Sequence, residues 1–166
     1  MRALDGGRMS YEYINQHPDP RCTRIRTMWN AIGQKNGSKY RYELQSGATS
    51  GSVFCWNPLS STELKGKVLY ARVTTGTQLV IDRLGVEAAT TIAKADTWIA
   101  ARVADDNTDN HAIWLNNGPF ILDEVGVYTP DDWEHLYALY QKGEIRYPWM
   151  AGPRDAAANV PGPWEL

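Results

Sequence analysis

The stretch from Gly118 to Tyr128, GPFILDEVGVY, decides the fold of this chain. It opens with a Gly-Pro turn and continues as FILDEVGVY, in which β-branched and aromatic residues predominate. That composition predicts a strand over residues 120–128. Because helix-start residues follow at once, the stretch also marks the boundary between a run of strands and a single helix.

The residues after this strand have the composition of a helix start. Thr129 is suited to the N-cap, Pro130 to the first helical position, and two aspartates lie at the positive end of the helix dipole. Gly143 is typical of a helix end. Four apolar residues are spaced at i, i+3, i+4 and i+7, namely Trp133, Leu136, Tyr137 and Tyr140. We therefore predict a helix over 129–143 that packs on the strands.

Upstream of residue 118 the chain consists of short alternating runs separated by Gly and Pro. In KYRYELQ, residues 39–45, both tyrosines and the leucine share one face at period two. The runs 67–74 and 77–84 flank Thr75-Gly76, which predicts a hairpin. Eight to ten such strands without alternating helices predict an all-β fold, an antiparallel jelly-roll β-sandwich with one C-terminal helix.

The two ends of the chain differ from the middle. We predict a flexible N-terminal segment over residues 1–12 and the sandwich with its helix over residues 13–143. Residues 144–166 hold four prolines, two tryptophans and the small run AAA. This composition predicts an extended arm with no core of its own.

The charge balance excludes several classes of partner. Seventeen Lys and Arg against nineteen Asp and Glu give a net charge of −2, so neither nucleic acid nor a membrane is expected as a partner. The start, MRALDGGRMS, lacks the apolar run of a signal peptide, and no stretch is apolar enough to span a bilayer. Residues 21–42 hold six basic residues and no acid, whereas 96–134 hold nine acids and one arginine. These regions either neutralise each other within the fold or form complementary patches between subunits.

Motifs for catalysis are missing from the sequence. The three histidines lack metal-ligand spacing, and there is no Gly-x-Ser-x-Gly elbow and no Walker lysine. Cys22 and Cys55 are read as buried thiols, with a bridge between them as the alternative. The acidic run 105–110 departs from a calcium loop at Asn110 and Asn116, where Gly and Glu would be required. We therefore expect a protein that is not an enzyme.

Aromatic residues with a polar group are abundant. Of eighteen aromatics, seven are Trp, nine Tyr and two Phe. Four tryptophans lie in strand-like runs, and core between the sheets is the first expectation for most of them: Trp29, Trp56, Trp98 and Trp114. Sugar binding uses an aromatic plate beside amide or guanidinium groups. Tyr40, Tyr42 and Trp56, near Arg41 and Asn57, are the candidate carbohydrate-binding residues.

The order of several motifs resembles a known family. Gly118–Tyr128 resembles the closing strand of carbohydrate-binding-module (galactose-binding-like) jelly rolls, Gly66–Tyr70 resembles their Gly-Lys-x-Tyr strand entry, and Asp96-Thr-Trp98 resembles their strand that begins at Trp. The resemblance implies that Asp123 helps to hold a structural calcium ion. The residues themselves indicate no cofactor. Laminin-G-like sandwiches compete, because Asp-Glu-Val followed by a helix ending Leu-Tyr-Gln-Lys-Gly143 is similar to their C-terminal end.

Jelly rolls of this kind also resemble domains of tailed-bacteriophage virion proteins. The resemblance implies a non-enzymatic structural protein that is made in the host cytoplasm, forms homo-oligomers, and decorates a capsid or tail by contacts with the major capsid or tail protein. In that interpretation the arm binds the partner through four residues, namely Tyr147, Trp149, Arg154 and Trp164. The alternative is a glycan-binding adhesin or lectin module that binds cell-surface glycan.

Overall fold

The chain folds as an antiparallel jelly-roll β-sandwich followed by one helix, which confirms the predicted fold class. The computed structural model describes residues 2–5, 8–11, 14–74, 79–83, 89–95 and 97–151. Its elements, in chain order, are β1 Arg2–Asp5, β2 Arg8–Tyr11, β3 Thr27–Trp29, β4 Ala31–Asn36, β5 Lys39–Leu44, β6 Ser52–Phe54, β7 Val68–Thr74, β8 Ile81–Arg83, β9 Ala89–Lys94, β10 Trp98–Val103, β11 His111–Trp114, β12 Phe120–Tyr128 and α1 Pro130–Gln141.

Two sheets form the sandwich and a separate hairpin precedes them. The six-stranded sheet has the order β4, β5, β12, β7, β10 and β9, and the four-stranded sheet the order β3, β6, β11 and β8. Strands β1 and β2 pair only with each other among the described strands. Within the segment predicted to be flexible, residues 2–5 and 8–11 therefore form a hairpin. The described helix is not long and apolar enough to cross a bilayer.

The main core lies between the two sheets. Alternate residues of each strand point inward, as period-two patterning requires. Val53 and Ile113 come from the four-stranded sheet, and Leu69, Val73 and Val127 from the six-stranded sheet, and each is at most 1% exposed. The face predicted for residues 39–45 is confirmed, because the β5 side chains at 40, 42 and 44 all pack on this core.

The hairpin predicted at Thr75-Gly76 is wrong. Strand β7 lies in the six-stranded sheet between β12 and β10, whereas β8 pairs with β11 in the four-stranded sheet. The two strands therefore belong to different sheets, and residues 75–78 lie outside the described part of the chain. Both strands bury apolar residues in the same core, and local alternation cannot tell which sheet a strand joins.

Strand β12 is paired along both edges, but by different partners. One edge pairs with β7 over nearly its full length, with a bulge between Leu122 and Glu124. The other edge pairs with β5 only over residues 120–122. Beyond the bulge the segment 15–20 takes the place of β5, since Gln16 N donates to Val127 O at 2.9 Å and Val125 N donates to Pro20 O at 2.9 Å.

Asn15 fixes this segment to β12. Its Oδ1 accepts from the backbone N–H of Val127 at 3.1 Å, and its Nδ2 donates to the carbonyl of Val125 at 3.0 Å. The same Nδ2 also reaches the Met150 carbonyl at 3.1 Å. One amide side chain therefore connects the N-terminal segment, β12 and the residues after the helix.

Helix α1 covers the outer face of the six-stranded sheet. Thr129 caps it by accepting from Asp132 N, and the backbone at Gly143 turns into the left-handed region with φ of 77°, as the sequence predicts. Its aromatic stripe meets outward-facing residues of β7 and β10. Trp133 lies 6.4 Å from the Tyr70 ring and 6.3 Å from the Trp98 ring, measured between centroids. This contact forms a second hydrophobic cluster.

The first part of the predicted arm belongs to this second cluster, which corrects the expectation that the arm lacks a core. Ile145, Trp149 and Met150 are each at most 3% exposed. The indole Nε1 of Trp149 donates to Val125 O at 2.7 Å. Residues 144–151 therefore pack on the sandwich, while residues 152–166 lie outside the described part of the chain.

A buried ion pair ties the N-terminal segment to the start of β3. Arg26 Nη1 lies 2.8 Å from Asp19 Oδ2, and the two side chains are 3% and 9% exposed. Burial raises the pKa of Asp19, but hydrogen bonds from the Arg26 side chain, Thr23 and the Arg24 backbone outweigh it and lower the pKa to about 2. The carboxylate is therefore charged throughout the neutral and mildly acidic range.

His17 is buried beside this pair in its neutral form. Its Nδ1 accepts from Asp19 N at 3.0 Å, so its Nε2 carries the hydrogen that faces the Asn57 carbonyl at 2.9 Å. Burial, and next the positive charge of Arg26, lower the pKa of His17 to about 4. Protonation of Nδ1 would direct a second N–H of the ring at the Asp19 N–H, so two donors would face each other in the folded protein.

Replacing Asn15 should destabilise the fold. In Asn15→Ala the N–H of Val127 and the carbonyls of Val125 and Met150 lose a partner, and we expect the free energy of unfolding to fall by about 2 kcal/mol. Urea denaturation at pH 7 measures it. Asn36→Ala, at an exposed end of β4, is the matched control and should change stability by less than about 0.5 kcal/mol. Equal losses in the two variants would contradict this role of Asn15.

The state of His17 predicts a pH dependence of stability. The folded pKa of about 4 lies below the ordinary histidine pKa of 6.5, so the contribution of His17 to stability is complete above pH 6.5 and is lost as pH falls toward 4. At about 1.4 kcal/mol per pKa unit, the loss approaches about 3 kcal/mol. Urea denaturation from pH 7 to pH 4.5 measures it, and His17→Gln should flatten this part of the profile. An unchanged slope in the variant would show that His17 is not responsible.

Candidate functional site

The sandwich has two outer faces, one on each sheet. The helix and residues 144–151 cover much of the outer face of the six-stranded sheet. On the four-stranded sheet, the inward row is Met28, Val53 and Ile113, so the neighbouring residues of each strand point outward. That outward face is the candidate site.

Two tryptophans lie in one row across this face. Trp29 of β3 pairs with Ser52 of β6, and Ser52 pairs with Trp114 of β11. Two strand spacings place the tryptophan backbones about 10 Å apart. Trp29 is 49% exposed and Trp114 is half-buried, whereas Ser52 between them is 1% exposed. The row therefore presents aromatic side chains on either side of a small, buried residue.

Amide side chains border this row. Asn30 follows Trp29 and takes a φ of 51°, which turns the chain from β3 of one sheet into β4 of the other. Asn116, two residues after Trp114, is exposed, and its Oδ1 accepts from Gly51 N at 3.0 Å. That bond occupies the amide oxygen and leaves the NH2 group of Asn116 as a donor for a ligand. Hydrogen-bonding groups therefore lie next to the aromatic row.

A cavity of about 220 Å³ lies by the start of β3. Its walls combine two prolines and an exposed isoleucine with polar and charged groups: Pro18, Asp19, Arg24, Ile25, Arg26, Thr27, Asn57 and Pro58. Thr27 is two residues before Trp29 on the same strand and therefore points to the same face of the sheet. The cavity and the aromatic row are neighbours.

The charged groups of the cavity differ in how many hydrogen bonds they make within the fold. Arg26 uses all five N–H donors within the fold, on Asp19, Arg24 O, Cys55 O and Cys22 Sγ. Both oxygens of Asp19 accept hydrogen bonds, from Thr23 and from the two arginines. Arg24 contributes its backbone to this network, and its exposed guanidinium has no acceptor among the described residues.

The residues predicted to bind sugar do not form a site. Tyr42 and Trp56 are each 1% exposed, which corrects their assignment, since a buried ring cannot stack on a ligand. Tyr42 OH accepts from Arg26 N at 2.9 Å, and burial raises the pKa of Tyr42 to about 12. Trp56 Nε1 donates to Tyr70 O at 3.1 Å. Tyr40 is half-buried against the same core.

The partner-binding residues predicted in the arm also have different outcomes. Trp149 is 3% exposed and bonded to β12, which corrects its assignment as a docking residue. Tyr147 is half-buried, and its ring lies 4.2 Å from the guanidinium carbon of Arg72. Arg154 and Trp164 lie outside the described residues. The described part of the arm therefore serves the fold.

Asp123 contacts groups of its own chain. Its carboxylate accepts from the Thr74 hydroxyl and lies 3.7 Å from Arg72 Nη1. Among the described residues, no group of three or more His, Cys, Asp or Glu side chains comes together to hold a metal. The calcium ion inferred from the family resemblance stays a prediction.

The two cysteines are free and buried, so the interpretation as buried thiols is confirmed. Burial raises the pKa of Cys22 to about 12 and that of Cys55 further still. A thiol that stays protonated at neutral pH is a poor nucleophile. These residues give the protein no thiolate for catalysis.

Core was the first expectation for most of the four strand-borne tryptophans, and neither Trp29 nor Trp114 was predicted as a site residue. Trp98 and Trp56 are buried as expected, but Trp29 lies on an edge strand. The residues next to Trp29 in the sequence could have indicated that its side chain points outward. The inward residue of β3 is Met28, and alternation then places the adjacent tryptophan outward.

Comparisons with known proteins find a structural likeness. No family model and no curated protein matches the chain. A solved structure of a family 29 carbohydrate-binding module mutant, made to probe ligand recognition, is 16% identical in sequence, with a TM-score of 0.38, over 76% of this chain and 93% of that one.

Proposed function

We propose that the protein is a non-catalytic carbohydrate-binding domain, with its ligand on the outer face of the four-stranded sheet. The observation that carries the proposal is the row of Trp29, Ser52 and Trp114, in which Trp29 is 49% exposed. Trp29 and Trp114 would stack on the sugar. The proposal follows the glycan-binding alternative read from the sequence, with different residues in the site.

The chemistry of this face suits a sugar. A pyranose ring has an apolar face of C–H groups and a rim of hydroxyls, so it pairs with an aromatic plate bordered by amide donors and acceptors. Ser52 between the tryptophans is buried and offers no surface to a ligand, so the exposed surface of the row is that of the two tryptophans. Tryptophans about 10 Å apart would contact separate sugar residues rather than one ring.

The described residues of the arm argue against docking through Trp149. Trp149 faces its own sandwich, and Tyr147 lies against Arg72. The interpretation as a virion component has no support in the described residues, so capsid, tail and homo-oligomeric contacts stay predictions. An exposed tryptophan on an open sheet face therefore favours a small, polar-rimmed ligand at this site.

A glycan array tests the proposal. The wild-type chain should bind a defined set of glycans, and Trp29→Ala should weaken that binding at least about tenfold, since truncation of a central tryptophan typically costs more than about 1.4 kcal/mol. Trp114→Ala should weaken binding to a smaller degree, because its ring is less exposed. Titration calorimetry with the strongest ligand measures both losses.

Ile92→Ala is the matched control, since Ile92 is 43% exposed but lies on β9 at the far edge of the other sheet. It should leave glycan binding unchanged. Thermal unfolding of each variant shows whether the fold is retained. A blank array for the wild type, or full binding by a folded Trp29→Ala variant, would remove the basis of the proposal.

A further inference from the structure

We infer that the cavity beside β3 binds the carboxylate of an acidic sugar, with Arg24 as the residue that selects it. The inference rests on the proposed function, because it places a second contact of the same glycan next to the aromatic row. It adds the class of ligand, a carboxylated glycan, which the tryptophans alone do not specify.

The position of the cavity links it to the aromatic row. Thr27 lines the cavity and lies about 7 Å along β3 from Trp29, on the same face. Phe54, the cross-strand partner of Thr27, is half-buried on that face and three residues before Asn57 in the cavity wall. A sugar residue in the cavity would therefore be the neighbour of one stacked on Trp29.

The size of the cavity suits a single sugar residue. Its volume is about 220 Å³, below the range of about 300–1,000 Å³ that is typical of pockets for drug-sized ligands. Pro18, Ile25 and Pro58 offer apolar surface for the body of a ring, and Thr27 and Asn57 offer a hydroxyl and an amide. Like the aromatic row, the cavity therefore combines apolar surface with polar groups, on a smaller scale.

The charge of the cavity is positive. Two arginines and one aspartate line it, and the aspartate is ionised at neutral pH, so the net charge is +1. The ion pair of Asp19 with Arg26 is internally saturated by hydrogen bonds. Arg24 supplies the remaining charge, and its guanidinium fork matches the two oxygens of a carboxylate.

The other basic side chains of this region are engaged elsewhere. Arg21 lies 5.7 Å from the Trp149 ring, Lys39 donates to the Asp123 carbonyl at 2.6 Å, and Arg41 pairs with Glu43 at 2.9 Å. Lys35 is exposed on β4 and does not line the cavity. Arg24 is therefore the cation placed to recognise an anionic ligand there.

Matched pairs of acidic and neutral glycans test the inference. One pair is a galacturonate oligomer and its methyl ester, and the other is a sialylated lactosamine and its asialo form, so the pairs distinguish a uronate from a sialate. Binding is measured by titration calorimetry on the full chain. The wild type should bind the acid of at least one pair about tenfold more tightly than its neutral counterpart, and added salt should reduce that preference.

Variants test whether Arg24 is responsible for the preference for the acid. Arg24→Gln should abolish the preference for the acid, because it weakens binding of the acid about tenfold more than binding of the neutral counterpart. Lys35→Gln, which removes an equal charge outside the cavity, should keep the preference. Trp29→Ala should weaken both members of a pair. Thermal unfolding verifies that Arg24→Gln folds, since its backbone bonds to Asp19 and Arg26 are retained.

The outcomes separate the two proposals. Neutral glycans bound as tightly as their acids in both pairs, or a preference that persists in a folded Arg24→Gln variant, would overturn the inference. Binding lost on Trp29→Ala would at the same time support the proposed function. If neither these pairs nor any glycan of the array is bound, the proposed function and the inference both fail.

Discussion

The backbone of β12 must satisfy its hydrogen bonds on both edges, and β5 reaches only the first part of one of them. The bulge between Leu122 and Glu124 shifts the register against β7, and the free edge beyond it requires other partners. Asn15, Pro20 and the indole of Trp149 provide them, and Val125 alone contacts all three. The N-terminal segment and the residues after the helix are therefore both fixed at one place.

The candidate site depends on this constraint through a short series of contacts. The segment held against β12 carries Asp19, and Asp19 binds Arg26 immediately before β3. Tyr42 OH accepts from the backbone of Arg26 and fixes it to the neighbouring sheet. Strand β3 then presents Thr27 toward the cavity and Trp29 toward solvent. The buried ion pair of Asp19 and Arg26 thus positions Thr27 and Trp29, which are themselves exposed.

The helix determines which face of the sandwich is available. By packing Trp133 on Tyr70 and Trp98, it converts outward-facing aromatics of the larger sheet into a second core. On the outward face of the smaller sheet, the tryptophans at 29 and 114 retain exposed surface, although Ser52 between them is buried. The aromatic surplus of the chain therefore serves two purposes, packing on one face and, in our proposal, ligand contact on the other.

Sequence alone determined the class of fold, the strand at 120–128, the helix with its Thr129 cap and the buried state of the cysteines. Each rests on local patterning or composition, which acts over a few residues. Tertiary structure alone decided that β7 and β8 belong to different sheets, that Tyr42, Trp56 and Trp149 are buried, and that Trp29 is exposed. These outcomes depend on which strand lies next to which, and an aromatic residue has the same local pattern whether its sheet face is covered by a helix or open to solvent.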